Sequence, residues 1–216
     1  MGNIYKKDVI SLNMRRSLQK EETRNIILEN ARILFNELGF DKTSTREIAK
    51  KAGVGTGTVF SHFPDKLSLL IAALLDDLVS THEEALKALP EDTHVCDKFL
   101  HFAHYYFSYY SKRPGLSRTL LKEMMFAKGE WGKKLLSHAD QFILFVTSLL
   151  EEAKQKGDIN PDTDTKLCAT AFFSFYLNVL FMGLSENELD IKKMLDLLRR
   201  LIMQLIGGDK TDQGDT

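Results

Sequence analysis

The chain has 216 residues, 44% hydrophobic and 27% charged, with a formal net charge of −1, which suffices for a good core in one or two compact units. It holds no run of about 18 consecutive apolar residues and no apolar stretch leading to a small-residue cleavage site, so neither a membrane span nor a secretory signal is expected. Cys96 and Cys168 match no metal or redox spacing, and a cytoplasmic protein with no metal and no cofactor is expected.

The net charge hides an asymmetry. Residues 1–66 carry 12 Lys and Arg against 8 Asp and Glu, whereas the rest carries 17 against 22. A basic end on an acidic body directs only the first part toward a polyanion. Residues 1–19, with Lys6, Lys7, Arg15 and Arg16, show no sustained periodicity and read as a flexible basic arm. A helix is predicted from Lys20 to Leu38, with Ile27, Ala31, Leu34, Phe35 and Leu38 as its apolar stripe and Gly39 as its stop. Residues 43–66 then read as a helix-turn-helix. Ser44 and Glu47 have the spacing of a capping box. Ile48, Ala49 and Ala52 share a face, and Gly53 stops the helix. A second short helix follows, capped by Gly55 or Thr56, with Val59, Phe60 and Phe63 as its apolar side. Pro64 ends it and Asp65 caps the next. Two short helices about a glycine turn are the form that places a helix in the major groove.

In this region the chain resembles the tetracycline-repressor (TetR) family of bacterial regulators. The resemblance rests on Arg24, Ile27, Ala31, Phe35, Gly39-Phe40, Thr45, Ile48-Ala49 and Ala52-Gly53-Val54. It continues through Gly57-Thr58, Phe60, His62-Phe63, Lys66 and Leu69, and covers roughly residues 20 to 70. On the residues alone, Thr56, Gly57 and Ser61 lie on the solvent side of the second helix, and Arg46 can reach a base or a phosphate. The resemblance implies base contacts at these positions and phosphate contacts from Thr45, Thr58, His62 and Lys66. Two departures stand out: Phe60, still counted among the DNA-binding residues, occupies a position where the family commonly has a phosphate-binding tyrosine, and Gly55 one where a capping serine is frequent.

A fourth helix is predicted from about Asp65 to Leu89, closed by Pro90. Beyond it the pattern stays helical, near 93–112, 116–127, 131–156, 162–183 and 187–206, with Asp158, Pro161 and Asp162 as turn and cap chemistry. The polar end GGDKTDQGDT reads as a disordered tail. Segments 99–110 and 172–181 are dense in aromatics. Rings at helical spacing usually make core, but tyrosine hydroxyls need partners when buried. The resemblance implies a small-molecule pocket here, with Phe102, Tyr105, Tyr106, Tyr109, Phe126, Phe172, Phe175 and Tyr176 as candidate lining. The last two helices are apolar enough to pair with their copies in a second subunit. His101 and His104 can share one helix face, and with His94 or Cys96 they offer a weak metal alternative.

The expected fold is all-α, with a helix-turn-helix domain over 20–66, a helical ligand-binding and dimerisation domain over 67–206, and a tail over 207–216. The expected function is a transcriptional regulator, not an enzyme. It is read as a homodimeric repressor released from a palindromic double-stranded DNA operator by a small, largely hydrophobic or aromatic inducer, with no membrane partner. The competing reading is a helical metabolite- or metal-binding protein whose helix-turn-helix is structural only.

Overall fold

The computed structural model describes residues 2–124, 126, 128–186 and 189–206, with side chains from Met14 onward except Met124. The tail over 207–216 lies outside the described residues. The elements are α1 (Gly2–Leu38), α2 (Thr45–Lys51), α3 (Thr56–His62), α4 (Lys66–Lys87), α5 (Val95–Ser111), α6 (Pro114–Met124), α7 (Gly129–Lys156), α8 (Thr165–Ser185) and α9 (Ile191–Ile206). No strand occurs among the described residues, and the fold is all-α.

The segment read as an arm is helical from Gly2 onward. Residues 3–38 contain neither glycine nor proline, so nothing in the chain interrupts the helix once it has started. The chain divides after Leu74 into two compact units. The first takes in the opening turns of α4, later than the boundary expected at Lys66. Arg32 of α1 donates from Nε to the Ala73 carbonyl at 3.1 Å, which binds that part of α4 into the head. Ile27, Leu28, Ala31 and Phe35 of α1 are buried together with Ile48 and Ala49 of α2 and with Val59 and Phe63, which form the core of the head.

In the second unit α8 packs against α5, α6, α7 and α9. Its cap is Asp164, whose carboxylate accepts from the Leu167 amide, so the helix begins three residues later than Asp162 had indicated. Asn160 and Asp162 instead form a side-chain turn, the Asp162 amide donating to Asn160 Oδ1 at 2.9 Å. Gly157 ends α7 with φ 79°, a conformation that costs a glycine little. At the far end of α8, Arg118 of α6 donates to the carbonyls of Leu184 and Glu186, satisfying helix-end acceptors. Gly183 lets α9 come close, since a Cβ there would lie 2.6 Å from Met194 Sδ. By length and composition α8 could cross a bilayer, with a mean hydropathy of 1.8, yet it has neighbours on several sides and 44% of its apolar window is buried. A helix apolar all round is buried on more than one side.

Candidate DNA-reading head and body cavity

The head is built by local chemistry. The capping box at the start of α2 is complete: Ser44 Oγ accepts from the Glu47 amide at 3.2 Å, and Glu47 accepts from the Ser44 amide at 2.9 Å. The hydrogen bond from the Ser44 side chain, helped by that from its amide, holds the Glu47 carboxyl below the usual carboxylate range. At the other end, the Val54 amide donates to Ala49 O at 3.0 Å and the Gly53 amide to Lys50 O at 3.3 Å. With Gly53 at φ 68°, this is a Schellman turn, which fixes the direction in which α3 departs. Gly55 caps α3 through its backbone only.

Val59 and Phe63 anchor α3 inward, both essentially inaccessible. Phe60, expected to share their apolar side, faces out and is 48% exposed, because the intervening helical rotation carries it round to the other side. Gly57 and Ser61 are exposed beside it, while Thr56, Thr58 and His62 are half-buried. On α2, Thr45 is half-buried in the first turn and Arg46 is exposed. The outward side of α3 therefore carries a ring, one fully exposed hydroxyl and a glycine gap, with Arg46 available from α2.

Lys66 behaves differently from the phosphate contact expected of it. Its ammonium lies 2.8 Å from Phe40 O, 3.1 Å from Thr43 O and 3.4 Å from Asp41 O, and 4.3 Å from the centre of the Phe40 ring. An ammonium has three donors, and all three point at the α1–α2 loop. Lys66 is a clasp on that loop. Close to α3 the cations come from α1 instead: Lys20 and Arg24 are near enough to His62 to disfavour its protonated form, although burial is the main reason its pKa falls below the ordinary 6.5. The sequence gives no signal for either α1 side chain, because distance along the chain conceals its place beside α3.

The body contains a cavity of about 40 Å³ lined by Leu78, Tyr106, Tyr110, Leu135, His138, Ala139, Phe142, Phe173, Tyr176 and Leu177. No Lys, Arg, Asp or Glu lines it. A hydrogen bond joins Tyr110 and Tyr176, and burial pushes the phenols of Tyr106, Tyr110 and Tyr176 up, so all three are neutral. Behind Tyr106, His82 Nδ1 lies 3.2 Å from the phenol oxygen, with the imidazole stacked on Phe102 at 5.4 Å and edged by Phe145 at 5.3 Å. The site is apolar with a few uncharged polar tips.

Of the eight rings named from the sequence, Tyr106 and Tyr176 line this cavity. Phe102 and Phe172 are core, Phe172 stacking on Phe99 at 4.7 Å. Tyr105 lies half-buried against His101, and Tyr109 half-buried against Tyr110. Phe175 is half-buried outside the lining. Phe126 is 79% exposed in the turn after α6, which ends at Met124, and does not line the cavity. His101 is engaged through Nε2 with the Ala85 carbonyl at 2.8 Å, and no group of three metal-ligating side chains occurs among the described residues.

Residues 27–73 match the model of the bacterial regulatory proteins, tetR family. The HTH-type transcriptional regulator UidR of Escherichia coli K12 is 27% identical over 169 residues, covering 75% of this chain and 82% of UidR. The head of this chain is of the tetR type. The fold agrees over its length. RolR, solved with resorcinol, superposes with a TM-score of 0.69 at 20% identity, covering 88% of this chain and 90% of RolR. Thermus thermophilus FadR, solved with lauroyl-CoA, gives 0.68 at 18% identity, covering 89% and 98%.

Below this tetR-type head, the cavity of the body has a pH signature. His82 and His138 are both held below the ordinary histidine pKa, first by burial and, for His138, by the neighbouring His82 as well; Glu83 opposes the effect at His82. The unfolded chain takes up protons near pH 6.5 while these native imidazoles stay neutral, so the unfolded state binds more protons. Stability of the body is expected to fall as the pH drops below about 6.5, levelling only below the depressed native values. Thermal melts between pH 7.5 and 5.0 should show this, with a shallower loss in His82→Gln/His138→Gln. An equal slope in that double variant would refute the assignment.

Proposed function

We propose that this chain is a homodimeric repressor whose head reads a palindromic operator and whose body releases it on binding an uncharged, hydroxyl-bearing aromatic molecule. The observation that carries the DNA-reading part is the capped α2, the Schellman turn at Gly53 and the outward α3 with Phe60, Gly57 and Ser61 exposed. A dimer sets two such helices about one DNA turn apart, in successive major grooves. Proposed contacts are bases from Arg46, Thr56, Gly57 and Ser61 and phosphates from Thr45, Thr58 and His62, with Lys20 and Arg24 added from α1. A cytoplasmic location beside the DNA fits two free cysteines, both buried.

The copy-to-copy face is assigned to α8. Leu167, Phe181 and Met182 are 65%, 60% and 50% exposed, with Ser174 and Asn178 exposed between them. No charged residue occurs from Leu167 to Ser185. An uncharged stripe of this length, continuous with a packed core, suits an isologous pairing with a second α8.

The ligand class follows from the cavity walls. Three neutral phenols and a neutral imidazole can donate or accept, but nothing there compensates a buried charge. At about 40 Å³ the space holds water and is well below the ~150 Å³ that accepts benzene. Entry therefore requires the walls to yield. One wall is Leu78, on α4, whose first turns belong to the head. A ligand that prefers the expanded body shifts the operator-binding population through that helix. The test is calorimetric titration with uncharged phenols, resorcinol among them, and with benzoate as the charged control, in the presence and absence of operator DNA. Binding of a phenol that DNA weakens by the same factor as the phenol weakens DNA supports the reading. Independent binding of the two, or capture of benzoate alone, opposes it.

A further inference from the structure

The recognition helix carries an unusual set of tools. Its seven residues, TGTVFSH, include no Arg, Lys, Asn, Gln, Asp or Glu. The side chains that grip guanine or adenine edges in two-bond fashion are therefore missing from α3, and the commonest routes to base discrimination are closed to it. What α3 does present is a phenyl ring. Phe60 is 48% exposed while the residues on either side of it in the helix turn, Val59 and Phe63, are locked in the core, which fixes the direction of the ring. Gly57, one turn earlier on the same face, leaves open space where a side chain would stand, with nothing within 4 Å of an added Cβ. Ser61 Oγ donates to Thr58 O at 2.7 Å, so its proton is spent on the helix and it faces outward as an acceptor.

We propose that Phe60 is the specificity-determining residue of this head and that it reads the 5-methyl group of a thymine in each half-site. Thymine alone among the bases offers an apolar group in the major groove, and an exposed ring beside a glycine gap is shaped to cover it. The same ring has no hydroxyl for a phosphate, so its exposure is used on a base rather than on the backbone. This assignment rests on the DNA-reading function proposed above.

The test uses the full-length dimer and its selected operator, with thymines replaced one at a time by deoxyuridine, which pairs identically but lacks the methyl group. At one thymine per half-site the wild-type protein should bind about fourfold more weakly after replacement, the factor for one buried methyl-sized group. Phe60→Ala should bind the thymine operator more weakly and be indifferent to the replacement. Phe60→Tyr, which keeps the ring, should retain the discrimination. Because Phe60 is exposed, the variants should melt like the wild type, which separates a lost contact from a lost fold. Equal wild-type affinity for every deoxyuridine operator, or undiminished discrimination by Phe60→Ala, overturns the inference while leaving the DNA-reading function intact. Failure of the folded dimer to select any operator overturns both.

Discussion

Lys66→Ala should weaken operator binding about tenfold while leaving the salt dependence of binding unchanged. The substitution removes an ammonium from the carbonyls of Phe40, Asp41 and Thr43. Hydrogen bonds from a charged donor contribute roughly 1.5–3 kcal/mol in favourable cases, and half-exposure of this one places it at the low end. Without it the loop before α2 loses its clasp, and α2 and α3 lose part of their fixed geometry. The head should then melt earlier, and hydrogen exchange should quicken at Thr43 and Ser44. Were Lys66 a phosphate contact instead, the slope of log affinity against log salt would fall by about 1 and head stability would hold. The two roles are separated by measuring affinity at several salt concentrations alongside a melt.

Phe181→Glu should convert the protein to a monomer and reduce its affinity for a two-half-site operator on the order of a hundredfold. Phe181 is 60% exposed in the single chain, so the charge need not disturb the monomer core. Between two copies of α8 it would place like charges across an apolar seam, an uncompensated burial that association cannot tolerate. Each head would still recognise its half-site, but the second would no longer arrive tethered to the first. Sedimentation at micromolar concentration gives the oligomeric state, and binding to full and half operators gives the coupling. A variant that stays dimeric would move the interface off this face.

The head was legible because its rules are local. Ser44 and Glu47 lie three residues apart, Gly53 follows the last apolar residue of α2, and Asp65 caps α4 by accepting from the Ser68 amide at 2.6 Å. Nothing distant is needed to satisfy such signals. Lys66 shows the opposite case: sequence shows a cation at a helix start, while its partners lie 23 to 26 residues earlier on a loop that folds back over it. Periodicity groups Phe60 with Val59 and Phe63, whereas its side chain faces out as a DNA-facing residue would, because a short helix gives periodicity too few turns to decide.

The cavity was half legible. Aromatic density drew attention to α5 and α8, and Tyr106 and Tyr176 do line it. On α8, apolar on every side, period alone cannot tell a core ring such as Phe172 from a cavity ring such as Phe173. Leu135, His138, Ala139 and Phe142 lie on α7, which reads as an ordinary amphipathic helix and gave no hint of a site. A cavity is assembled from four helices far apart in the chain, and its walls depend on packing that no single segment encodes.

The central claim is that the head reads a palindrome as a dimer. The most direct measurement is selection of duplex DNA from a random pool by the full-length protein at near-physiological salt, read by sequencing. The account requires a two-fold motif with half-sites about one helical turn apart, and an invariant thymine in each. Recovery of no motif by a well-folded dimer, with or without uncharged phenols present, would contradict it.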